Sequence, residues 1–114
     1  MDNEKSNEYY IGKIFGDLAF IIRHMQETDA EAFSSNEILQ DSMMFRLIQI
    51  SENARKLSDE YREQNPKIPW TAIFGLRNRI VHDYGNVVLD TVFETLKKDI
   101  PDLMNTMKEN LSWK

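Results

Sequence analysis

Apolar residues recur at intervals of three and four along nearly the whole chain, and this period constrains the fold more than any other feature. Near the N-terminus they are Ile11, Ile14, Phe15, Leu18, Ile21, Ile22 and Met25. This spacing places them on one face of an α-helix, which has about 3.6 residues per turn. The chain has only four glycines and three prolines in 114 residues, too few for the frequent turns of a β-sandwich. We therefore predict an all-α protein.

The first two predicted helices span about residues 8–27 and about 35–64. Ser34 and Glu37 have the spacing of a capping box, so we expect them to begin the second helix. Pro66 and Pro69 end this helix, because proline cannot donate to the helical hydrogen-bond ladder.

A third predicted helix has Pro69 in its first turn and stops at Gly85. Apolar residues then recur from Leu89 to Leu111, and Pro101 predicts a bend or a new helix after Lys98. Short connections favour antiparallel neighbours. The expected fold is a compact antiparallel bundle of four to five helices.

The composition predicts one cytoplasmic domain spanning residues 1–114. A chain of this length offers enough apolar surface for one core but not for two. It has no cysteine, its first six residues are polar, and no segment is apolar enough to cross a membrane. The formal net charge of −5 argues against a broad basic surface for nucleic acid, so a nucleic-acid site would have to be confined.

Most ionisable residues are predicted to be solvated. They lie off the apolar stripes or near helix ends: Glu27, Asp29, Glu31, Asp59, Glu60, Arg62 and Glu63. His24 is interpreted as an ordinary surface or boundary residue. The sequence contains no glycine-rich phosphate loop, no serine nucleophile elbow and no histidine–carboxylate cluster at metal spacing, so we predict neither a metal nor a cofactor.

Arg77 falls inside the apolar stripe of the third predicted helix, between Ile73 and Ile80. An arginine in a core is rarely unpaired, so we expect either a carboxylate such as Glu52 or an incoming phosphate beside it.

Gly75, Asn78 and His82 lie together on another flank of the same helix. Glycine inside a helix costs about 1 kcal/mol relative to alanine, so Gly75 indicates that something approaches the backbone closely. Tight packing against another helix and a ligand or dimer contact both remain open at this point.

These residues are suited to metal-independent cleavage of RNA. A histidine titrates near neutral pH, so His82 could exchange a proton with a 2′-hydroxyl or a leaving 5′-oxygen. Arg77 or Arg79 could hold the scissile phosphate, and Asn78 could orient the imidazole or a phosphate oxygen.

The pattern around these residues resembles the HepT-like branch of the HEPN superfamily. The likeness rests on Ile68-Pro69-Trp70, on the run from Ile73 through Gly75-Leu76-Arg77-Asn78-Arg79-Ile80-Val81-His82-Asp83-Tyr84, and on Asp99-Ile100-Pro101-Asp102-Leu103. The segment Ile48-Gln49-Ile50-Ser51-Glu52-Asn53-Ala54 is similar to the family's Ile-Gly-Glu-Ala stretch, with Ser51 in place of the glycine and Asn53 inserted.

This resemblance implies a ribonuclease toxin of a type VII-like toxin–antitoxin pair. Its active form would be an obligate homodimer in which Arg77 and His82 are the catalytic pair, supported by Asn78. Tyr84 would be adenylylated by an MNT-type nucleotidyltransferase antitoxin. The alternative is a catalytically silent helical dimer that binds a nucleotide or a partner protein, as some related domains do.

Overall fold

The computed structural model describes residues 6–82 and 89–111, and for residues 78–82 it describes the backbone alone. All regular secondary structure in these residues is helical, which confirms the predicted all-α class. Its elements are α1 (Asn7–Met25), α2 (Ala30–Ser34), α3 (Glu37–Arg55), α4 (Asp59–Glu63), α5 (Trp70–His82), α6 (Leu89–Glu94), a π-helical turn (Thr95–Asp99) and α7 (Ile100–Asn110).

Helix α1 lies at the centre of the bundle and packs against both α3 and α7. The amide N–H of Ser58 donates to the Asn7 side chain at 3.0 Å, while Arg46 forms an ion pair with Asp17 at 2.8 Å. As α1 runs from residue 7 to residue 17, its contacts therefore move back along the chain from residue 58 to residue 46. The two helices are antiparallel, as predicted.

The core consists of the apolar stripes that the periodicity identified. Its largest fully buried side chains include Ile11, Ile14, Leu18, Ile21, Met43, Leu47, Ile50, Ile68, Leu96 and Ile100. Burial of such side chains is the main favourable contribution to the stability of a domain of this size.

The second predicted helix was wrong in its extent and in its cap. The chain leaves the α-helix after Arg55 and starts the one-turn helix α4 at Asp59, with Ser58 as its N-cap. At the other end, Asn36 is the N-cap of α3 and accepts a hydrogen bond from the Leu39 amide at 3.0 Å. Ser34 instead ends the short helix α2, so it forms no capping box with Glu37.

The last helical segment changes pitch before Pro101. The Ile100 amide donates to the Thr95 carbonyl, an i to i+5 hydrogen bond, and α7 begins at Ile100. Pro101 has no N–H to offer the Lys97 carbonyl, which makes regular α-helical bonding impossible at this point. The predicted new helix after Lys98 is confirmed. Within the described residues, no helix is long and apolar enough to span a membrane.

Candidate active site

Helix α5 carries the candidate site, and the chain before it fixes where the helix begins. The Trp70 indole N–H donates to the Asn65 carbonyl at 3.0 Å, and the Ile73 amide donates to the Pro69 carbonyl at 3.1 Å. Ile68 and Ile73 are buried on either side of this start. The helix begins at Trp70, as the proline pair predicted, whereas Gly85, its predicted end, lies outside the described residues.

Contacts between side chains orient α5 against α3. The Ser51 hydroxyl donates to the Phe74 carbonyl at 3.1 Å, and the Arg55 guanidinium lies 4.8 Å from the centre of the Phe74 ring. Further along α5, Arg77 meets Glu52, the residue after Ser51 on α3. These contacts join the last turns of α3 to the middle of α5.

Arg77 forms an ion pair with Glu52 through its Nε atom. The side chains are 38% and 39% exposed, so the expectation of a buried arginine was wrong, although Glu52 is the carboxylate that was expected beside it. Arg77 lies at the edge of the apolar stripe of α5, where its long side chain packs beside α3 and still reaches water. The closest contact of the pair is between Nε of Arg77 and a carboxylate oxygen of Glu52, and no other described carboxylate forms an ion pair with Arg77.

The other predicted site residues differ in how far the structure describes them. The backbone of α5 continues through Asn78 and Arg79 to His82, but their side chains are not described. Tyr84 lies outside the described residues. Arg77 and Glu52 are therefore the two predicted site residues whose contact can be seen.

Gly75 lies on the outer face of α5, one position from Phe74. A Cβ atom added at Gly75 would meet no described atom of this chain within 4 Å, and Thr71, one turn earlier, is exposed. Close packing by another helix of the described chain is therefore not the reason for this glycine. The other explanation, a contact of Gly75 with a ligand or with a second copy of the chain, stays a hypothesis.

Comparison with known proteins identifies the family. The family model described as "Ribonuclease HepT-like" matches residues 14–109, a range that includes Glu52 and all of α5. The chain belongs to the HepT-like family. This confirms the resemblance drawn from the α5 motif.

Two relatives illustrate how much of the chain the HepT-like family covers. A protein of Caldanaerobacter subterraneus, named "Putative RNase", is 31% identical over 94% of this chain and 96% of its own length. The "Probable ribonuclease HepT" of Thermococcus cleftensis is 25% identical over 88% of this chain and 91% of its own. No solved structure matches the chain.

Two arginines near the site were not found from the HepT-like sequence pattern. Arg62, predicted to be solvated, is half-buried, and its guanidinium donates to the Leu57 carbonyl at 2.6 Å and lies 5.3 Å from the Phe74 ring centre. Arg55 contacts the same ring. Because the chain breaks between α3 and α4, Arg62 lies back over the end of α3. The continuous helix that was predicted would have carried Arg62 away from that end.

Other predictions concern residues away from this site. His24 is exposed and its ring packs 4.2 Å from that of Phe20, in agreement with its interpretation as a surface residue. In the part of the chain that the structure describes, no group of three or more His, Cys, Asp or Glu side chains is placed to hold a metal ion.

Proposed function

We propose that this chain is a metal-independent endoribonuclease toxin. The observation that carries the proposal is the half-exposed Arg77, whose Nε is engaged by Glu52, on a helix that continues to His82. An arginine held in this way can offer its terminal nitrogens to a phosphate as a two-pronged donor. Relatives named as ribonucleases along nearly the full chain support the same activity.

The proposed reaction is an internal displacement at an RNA phosphate. The 2′-oxygen attacks phosphorus and gives up its proton, and the bond to the 5′-oxygen breaks as that oxygen accepts a proton. His82 supplies or accepts one of these protons, because an imidazole titrates near neutral pH. Arg77 neutralises the charge that develops on the phosphate oxygens, with Arg79 as a further phosphate ligand. Asn78 orients the imidazole or the phosphate, and Glu52 holds Arg77 in place.

The proposed active form is a homodimer. Arg77 and His82 are five residues apart, which separates their directions on one helix by about 140° at about 100° per residue. Two copies that meet along the outer faces of α5 could supply Arg77 from one chain and His82 from the other. The open surface at Gly75 is where their backbones would approach.

The proposed regulator is a nucleotidyltransferase antitoxin that adenylylates Tyr84. Tyr84 follows His82 by two residues, so an added phosphate would be close to the proposed catalytic groups. Its negative charge would pair with the arginines intended for RNA and would repel the RNA backbone.

Cleavage of RNA by the purified protein in the presence of EDTA tests the activity. We expect His82→Ala to lower the rate by about 10²- to 10⁴-fold, the usual contribution of general acid–base catalysis. The chain has only one other histidine, so His24→Ala is the matched control and should cleave at the parent rate. Circular dichroism would check that both variants fold. A requirement for added Mg²⁺, or equal rates for His82→Ala and His24→Ala, would contradict the mechanism.

A further inference from the structure

A groove of about 370 Å³ lies between α5 and the segment formed by the π-helical turn and α7. Its lining residues are Pro69, Ala72, Ile73, Leu76, Thr95, Asp99, Ile100, Asp102, Leu103 and Thr106. The volume is within the range of small-molecule sites, which is about 300–1,000 Å³. None of the residues that line the groove belongs to α3, and neither Arg77 nor Glu52 is among them, so the groove is separate from that ion pair.

The two walls of the groove differ in chemistry. Pro69 and the first turns of α5 form an apolar wall. The opposite wall has two aspartates and two threonines beside Ile100 and Leu103. No lysine, arginine, histidine or amide side chain is among the described residues that line it. A ligand with hydrogen-bond donors and positive charge would match this set, and a phosphate would be repelled.

Asp99 and Asp102 supply the negative charge. Both are exposed, and within the described residues neither forms an ion pair. They are three residues apart along the chain, where the π-helical turn passes into α7. A ligand with two ammonium groups separated by a few methylenes could meet both carboxylates.

Thr95 is a second, independent indication of a ligand. Its residue surface is only 6% exposed and it lines the groove, yet among the described residues its hydroxyl has no hydrogen-bond partner. Since Thr95 lines the groove, its hydroxyl could accept a hydrogen bond from a molecule bound there. Thr95 is also the first residue of the π-helical turn that precedes Pro101.

We propose that this groove binds a linear aliphatic polyamine. From Thr95 to Thr106 the oxygen-bearing wall extends roughly 16 Å, taking about 1.5 Å per residue. That length is comparable to an extended triamine or tetraamine. The ammonium groups pair with Asp99 and Asp102, a hydroxyl accepts from a further N–H, and the methylenes lie against the apolar wall. A bare metal ion would gain nothing from that wall.

Isothermal titration calorimetry of the full chain with spermidine, at constant ionic strength and without RNA, tests the site. We expect saturable binding that Asp99→Asn and Asp102→Asn each weaken on the order of tenfold, because each removes one charge-assisted hydrogen bond. Ala72→Leu should also weaken binding, since it narrows the groove and leaves both carboxylates intact. A diol of matching length should not bind.

Asp41→Asn is the control for general electrostatic attraction. Asp41 is an exposed carboxylate on α3, outside the groove, so its replacement changes the net charge equally and should leave the affinity unchanged. Equal weakening by Asp41→Asn and Asp102→Asn would overturn the proposal, as would unchanged affinity in both groove variants. Because no RNA is present, either outcome leaves the ribonuclease proposal standing.

Discussion

Glu52 restrains the side chain of Arg77. It contacts Nε, the nitrogen closest to the backbone, and no other described carboxylate pairs with this arginine. Both side chains are more than one-third exposed, so water screens their attraction and the pair contributes little to stability. Its value is orientation, because the guanidinium is restrained before a phosphate arrives.

Tyr84 is the residue on which the proposed regulation depends. We expect Tyr84→Phe to retain most RNA cleavage, because the change keeps the ring and removes only the oxygen that would accept the nucleotide. The same variant should escape the antitoxin. Intact-mass analysis after co-expression with the antitoxin should show the mass of one AMP added to the parent and none added to Tyr84→Phe. Tyr61→Phe is the control and should be modified like the parent, whereas an adduct that persists in Tyr84→Phe would place the modification elsewhere.

The helices were predictable from the sequence wherever apolar spacing and a helix breaker agreed. The start of α5 follows from Pro66 and Pro69, and the restart at Ile100 follows from Pro101. The break after Arg55 was missed because the apolar period runs through it, from Ala54 to the buried Leu57. A three- or four-residue period cannot distinguish a continuous helix from one that ends and restarts in phase. Ser58, which caps α4, was the available signal.

Helix α3 offers a test of the corrected cap. The Asn36 side chain accepts from the Leu39 amide, whereas the Ser34 hydroxyl donates to the Glu31 carbonyl in an exposed turn. We expect Asn36→Ala to lower the free energy of unfolding by about 1 kcal/mol, the usual cost of losing an N-cap. Ser34→Ala should change it by no more than about 0.5 kcal/mol, as for other surface substitutions. Urea denaturation measures both changes. A larger loss for Ser34→Ala than for Asn36→Ala would support the capping box that was predicted from the sequence.

At the scale of the whole molecule, short connections were sufficient to predict antiparallel neighbours, but they did not reveal the groove between α5 and α7. Its walls come from two segments, Pro69–Leu76 and Thr95–Thr106, whose nearest ends are 19 residues apart in the sequence. Their separation depends on the direction in which α5 packs on α3, which Ser51 and Glu52 help to set. The spacing of apolar residues describes one helix at a time, so it could not predict a groove between two helices.

The proposed homodimer can be tested by substitutions at two glycines. Neither Gly75 on α5 nor Gly16 on α1 has a described atom within 4 Å of an added Cβ, so each monomer should accept a larger side chain. Replacing a helical glycine should even favour the helix, by up to about 1 kcal/mol. If two copies meet at the outer face of α5, Gly75→Leu will separate them and abolish RNA cleavage, while its circular dichroism stays native. Gly16→Leu should remain dimeric and active. Light scattering gives the decisive measurement: a parent protein with the mass of one chain at every concentration, or a Gly75→Leu variant as dimeric as Gly16→Leu, would contradict an interface at this face.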